Sequence, residues 1–168
     1  MIKDLAARLS GEGSDSSAVK DELDELRGNV WVTRKNLFVD RIACGWLIRR
    51  FVGQAAVFKF VDAGTYTPKT GEMRFDMFDG EYTHEGDRCT FEVMIKRLGL
   101  QDRGLLPLAE VIHDIDLKDT KYGRAETDGL NALLTGLVAS QPDDDQRMTE
   151  GMQMIENLYA YFQRQKVK

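Results

Sequence analysis

Between Asn29 and Val61 the chain reads strand, helix, strand, and a crossover of that length normally joins two strands in parallel with a right-handed turn. NVWVTR, Asn29 to Arg34, is rich in β-branched and aromatic residues and stops at a turn, Lys35-Asn36. Asp40 reads as the N-cap of a helix from Arg41 to Phe51, in which Ala43, Cys44, Leu47, Ile48 and Phe51 recur at helical spacing. Val57 to Val61 completes the unit. The fold class that follows is α/β: a small, mostly parallel sheet started by a βαβ unit, with a helical C-terminal half.

The flanking sequence supports that division. Residues 1–28 read as an N-terminal helical appendage: a short helical piece to about Leu9, the linker GEGSDSS, and an acidic helical segment carrying Val19, Leu23 and Leu26. The domain proper spans residues 29–168. Met73 to Phe78 reads as a third strand, Asp79-Gly80 as a turn, and Cys89 to Leu98 as a helix closed by Gly99. Three further helices are expected over Leu105–Asp119, Thr127–Ser140 and Asp143–Gln165. The last of these carries a stripe of Met148, Met152, Ile155, Leu158, Tyr159 and Phe162 that reads as core.

Charge and cysteine usage narrow the function. A net charge of −5 argues against direct nucleic-acid binding but leaves room for a small oxyanion held by a local group of arginines. No apolar run is long enough to span a bilayer, and MIKDLAARLSGEG lacks the apolar stretch of a secretory signal, so a cytoplasmic protein without a membrane partner is expected. Cys44 and Cys89 form no CxxC pair and are expected to be reduced. Cys44 falls on an apolar stripe, whereas Cys89, at a helix start beside Arg88, is the better candidate for a reactive thiol.

The chemistry-bearing residues gather around two histidines, both embedded in acids. GEYTHEGDRCTFE places His84 among Glu81, Glu85, Asp87 and Glu92, and EVIHDID places His113 at helical spacing from Glu110 and Asp116. Imidazole with carboxylates suits a divalent first-row metal, with manganese, iron and zinc equally served, or acid/base work. The expected ligands are His84, His113 and Asp116, with Asp40 and Glu92 supplementary and Glu81 demoted, because positions 81 and 84 of a strand face opposite ways. The competing reading is a salt-bridged helix edge. Arg34, Arg41 and Arg49 form the candidate oxyanion site: Arg41, Gly45 and Arg49 share a helix face, and the glycine leaves space for an anion. A solvated basic face is the plainer alternative.

VWVTR, VDRIACGWLIRRF, FDM, THEGDRCTFE and HDIDLKD, in this order, resemble the C-terminal domain of the chromate-resistance protein ChrB family from about Asn29 to Phe162. The resemblance implies a bacterial stress-response protein associated with chromate resistance, with chromate as the oxyanion. The long form of the family has a substantial N-terminal domain ahead of this region, where here about 28 residues precede it, so direct nucleic-acid binding is not expected of this chain. Asp40, Arg41, His84 and Gly86 fall on family motif positions. A fainter likeness to metal-dependent phosphoesterases of the DHH type aligns Asp40, His84 and Asp116. The expected function is therefore a metal- and oxyanion-binding domain. The alternatives are a non-enzymatic chromate sensor and a metal-dependent hydrolase or superoxide-dismuting enzyme. A homo-oligomer is also compatible, with the acidic N-terminal helix packing on a partner.

Overall fold

The computed structural model describes residues 16–26 and 29–166. The elements are α1 (Ser16–Leu26), β1 (Val30–Arg34), α2 (Val39–Leu47), β2 (Val57–Val61), β3 (Glu72–Arg74), α3 (Thr90–Arg97), α4 (Leu105–Asp116), α5 (Glu126–Ser140) and α6 (Asp144–Arg164). The sheet runs β2-β1-β3, and both pairings are parallel. This is the α/β fold with a βαβ start and a helical C-terminal half that the sequence predicts. The helical piece expected near Leu9 lies outside the described residues. The second helix of the proposed appendage is α1, and its Leu26 is buried in the common core while Leu23 packs against it.

Two elements differ from expectation, each for a local reason. The helix after β1 starts at Val39, and beyond Leu47 it widens into a π-helical turn, Ile48–Val52. Its N-cap is Phe38, so Asp40 lies inside the first turn and is not the cap of its own helix. The third strand is shorter than Met73–Phe78, because Asp76 adopts a left-handed backbone with φ of 46° and turns the chain out of the sheet. Phe75 is held by its amide N–H, which donates to the Val32 carbonyl (2.9 Å), and by a bridge to Tyr82.

Helix α2 is the centre of the molecule. Every residue from Val39 to Leu47 except Arg41 is buried, and the helix packs against α6, α3 and α4. Asp144 ties the start of α6 to the turn after β1 by accepting from the amides of Asn36 and Leu37, both at 2.9 Å. The two helices then approach so closely that glycine is required. A Cβ at Gly45 would stand 2.5 Å from Met148 Sδ, and one at Gly151 would stand 2.6 Å from Ile42 Cγ2.

The Ile42 contact is to a methyl next to its own backbone, which cannot swing aside as a thioether can. Gly151→Ala should therefore destabilise the fold by about 1–3 kcal/mol through overpacking, against the roughly 1 kcal/mol that alanine otherwise gains in a helix. Urea denaturation measures this, and a variant as stable as the parent or more so would show that α2 and α6 do not meet as described.

Candidate functional site

The site is assembled just beyond the carboxyl ends of the parallel strands, where open α/β sheets place their ligands. Asp40 comes from the helix after β1, Asp76 from the turn after β3, His84 from the following loop and Asp116 from the last residue of α4. Asp40 is 2% exposed. Its Oδ2 accepts from the Thr90 amide and its Oδ1 from the Phe91 amide, both at 2.9 Å. Cys89 is the N-cap of α3, so Asp40 closes the first two amides of a helix fifty residues away, where a carboxylate also meets the positive end of the helix dipole. Glu92 completes that end by accepting from the Cys89 amide (2.9 Å).

Around this anchor, one imidazole nitrogen faces three carboxylates. His84 Nε2 lies 3.1 Å from Asp40 Oδ2, 3.2 Å from Asp116 Oδ2 and 3.5 Å from Asp76 Oδ1. Asp76 is further held by the Thr90 hydroxyl (3.1 Å) and by Arg41 Nε (3.2 Å). Asp116 Oδ2 is buried and accepts no hydrogen bond. The loop carrying His84 is pinned from the far end of α3: Arg97 donates to the Glu81 carbonyl (3.2 Å) and pairs with Glu85.

The charges in this cluster are unbalanced, and the proton affinities register it. The Asp40 hydrogen bond, together with the charges of Asp40, Asp76 and Asp116, raises the His84 pKa to about 9 against the opposing effect of burial. Burial and then repulsion from Asp40 and Asp76 push Asp116 up to about 7. Asp76 is raised as well, by burial and by Asp40, with Arg41 and His84 opposing.

Asp40, His84 and Asp116 can each offer a ligand atom within 4.8 Å of the others'. His113 does not join them. It is fully buried, with Nδ1 2.7 Å from Glu92 Oε2 and Nε2 3.2 Å from Asp119 Oδ2. Although burial opposes its charge, Glu92 and Asp119 raise its pKa. Together with Asp114 and Asp119 it forms a second group of possible ligand atoms. Glu110 pairs instead with Arg124 (2.8 Å), and Glu81 with Arg74 (3.1 Å).

The arginines are dispersed. Arg34 is exposed at the end of β1, Arg41 belongs to the carboxylate cluster, and Arg49 lies over the Phe58 ring at 4.8 Å. The room expected at Gly45 for an anion is taken by Met148. Both thiols are buried. Burial, and then the Asp40 charge, push each thiol well above its ordinary pKa, so Cys89 is a protonated core group and not a reactive thiolate. Asp76 is the member that sequence reasoning missed; its position directly after a parallel strand is the signal that could have found it.

The family model described as ChrB, C-terminal domain, matches residues 31–162. The chain belongs to the ChrB C-terminal domain family. Protein ChrB of Cupriavidus metallidurans is 37% identical over 139 residues, which cover 82% of this chain and 42% of that protein. The chain thus spans less than half the length of this relative. No solved structure matches. All four members of the Asp40–Asp76–His84–Asp116 cluster lie inside the ChrB C-terminal match, as do His113 and its partners.

For metal-free protein the raised proton affinities set a direction. The folded state holds protons that the unfolded chain releases, so the contribution of His84 to stability is full below its ordinary pKa of about 6.5 and is lost as pH rises through about 9. Asp116 adds a loss of the same sign as pH rises through about 7. Unfolding free energy of chelator-treated protein should therefore fall between these limits, and the fall should shrink in the double variant His84→Gln/Asp116→Asn. Equal pH profiles for the two proteins would contradict the cluster's electrostatics.

Proposed function

We propose that this domain binds one divalent first-row metal ion through Asp40, Asp76, His84 and Asp116, and that the bound ion together with Arg41 docks an oxyanion such as chromate. The observation that carries the reading is the spacing of donors around His84 Nε2, at 3.1, 3.2 and 3.5 Å from three carboxylate oxygens. Ligands about 2.1 Å from one ion stand about 3.0–3.5 Å from one another, whether the polyhedron is octahedral or tetrahedral. A single imidazole N–H, by contrast, can satisfy only one of three carboxylates well.

The chemistry of the donor set supports the same reading. Three carboxylates and one imidazole suit manganese, iron or zinc. Asp40 is oriented for ligation by the two amides of α3, and Asp76 by Thr90, in the manner of outer-shell hydrogen bonds that fix metal ligands. The buried Asp116 Oδ2, which accepts no hydrogen bond although His84 Nε2 lies 3.2 Å away, is a polar atom that a cation would satisfy. The ion would supply a positive docking point, and Arg41, already at the cluster, would add a planar guanidinium suited to tetrahedral oxyanions. Membership of the ChrB family supports an association with chromate resistance, which makes chromate the first anion to test.

Titration calorimetry on chelator-treated protein with Mn²⁺, Fe²⁺ and Zn²⁺ should give one site per chain. His84→Ala and Asp116→Asn should each weaken binding by about tenfold to a hundredfold, while Arg49→Ala leaves it unchanged. Chromate should bind the metal-loaded protein more tightly than the metal-free one, and Arg41→Ala should weaken chromate without weakening the metal. Metal binding that is indifferent to both His84→Ala and Asp116→Asn would overturn the assignment.

A further inference from the structure

β2 forms one edge of the sheet, and among the described residues it is an edge without the usual protection. Among the described residues, the backbone of Val57–Val61 makes no hydrogen bond beyond the ladder to β1 and its continuation from the Lys35 amide to the Val61 carbonyl (3.0 Å). Val57 is 58% exposed, and Phe58, Phe60 and Val61 are half-buried. Folded proteins normally cover, twist or charge such an edge, because its free amides and carbonyls template further strands. Here the only charge is Lys59, and it is already held by Glu72 at 2.9 Å.

The sequence of the edge specifies what would cover it. Val57-Phe58-Lys59-Phe60-Val61 is a palindrome. In antiparallel pairing about a two-fold axis at Lys59, Val57 faces Val61 of the second copy and Phe58 faces Phe60, so each apolar side chain meets an apolar or aromatic one. The two lysines would also face each other, but each is drawn back across β1 to its own Glu72 on β3, which pairs its charge and turns it away from the axis. Beside the strand, a cleft of about 410 Å³ lies between Arg49, Phe58 and Phe60 on one side and Asp145, Met148 and Thr149 of α6 on the other. It offers space for aromatic side chains arriving across the axis.

We propose that the β2 edge is a homodimer interface, in which two copies of this chain pair β2 with β2 in antiparallel register and join their three-stranded sheets into one of six strands. The metal cluster lies at the carboxyl ends of the strands and not on this edge, so the interface is independent of metal binding.

Analytical ultracentrifugation of the full chain across a wide concentration range tests it. A concentration-dependent dimer is expected, and Val57→Glu, at an exposed position, should weaken association by about tenfold or more while the circular dichroism of the monomer is unchanged. Because Cys44 and Cys89 are buried, a Lys59→Cys chain oxidised mildly should form a symmetric disulfide through position 59 alone. A monomer throughout, a dimer indifferent to Val57→Glu, or the absence of that crosslink would each overturn the proposal.

Discussion

The hydrogen bonds from the Thr90 and Phe91 amides to the Asp40 carboxylate are the interaction on which the rest of the arrangement depends. A carboxylate buried to this degree is costly to keep charged unless it is hydrogen-bonded and compensated. Here two amides at a helix N-terminus and the His84 ring do the compensating. In the same stroke the βαβ unit is joined to α3, so the loop from Asp76 to Cys89 is held between two fixed points. The geometry of the cluster is thus tied to the packing of these helices.

The cluster remains short of positive charge even so. Among the described residues, the cationic groups that Asp40, Asp76 and Asp116 face are His84 and Arg41, and the proton affinities of His84 and Asp116 are raised accordingly. Proton and cation are competitors for such a place. The raised proton affinities of His84 and Asp116 arise from the same excess of negative charge that the proposed divalent ion would offset.

The βαβ unit was legible because its signals are local: β2 falls on the five residues that its composition marks, and the helices begin and end within a few residues of their caps. Asp40 was legible as a helix-start residue, but the helix it closes lies fifty positions on, and no spacing rule reaches that far. His113 and Asp116 are three residues apart on α4, yet the neighbours differ. His113 points at Glu92 of α3 and at Asp119, whereas Asp116, at the helix end, meets the His84 loop. Helical periodicity gives the shared face, and tertiary packing decides which partner each side chain finds. Gly45 makes the same point: a small residue between two arginines marks either an opening or a close approach, and only the position of Met148 distinguishes them.

The two histidine clusters, which share no residue, are mechanically one device. Asp40 takes the amides of Thr90 and Phe91, while Glu92 Oε2 takes the Cys89 amide and also meets the buried His113 ring. The first turn of α3 is therefore gripped from both sides, by a carboxylate of α2 on one and by an imidazole-backed carboxylate on the other. His113 sits on the same helix as Asp116, so the grip fixes α4 against α3 and with it the distance from Asp116 to Asp40. A fully buried ring with both nitrogens facing carboxylates is well placed to keep two helices in register. On this argument, His113 acts on the metal-binding candidates through the position of Asp116.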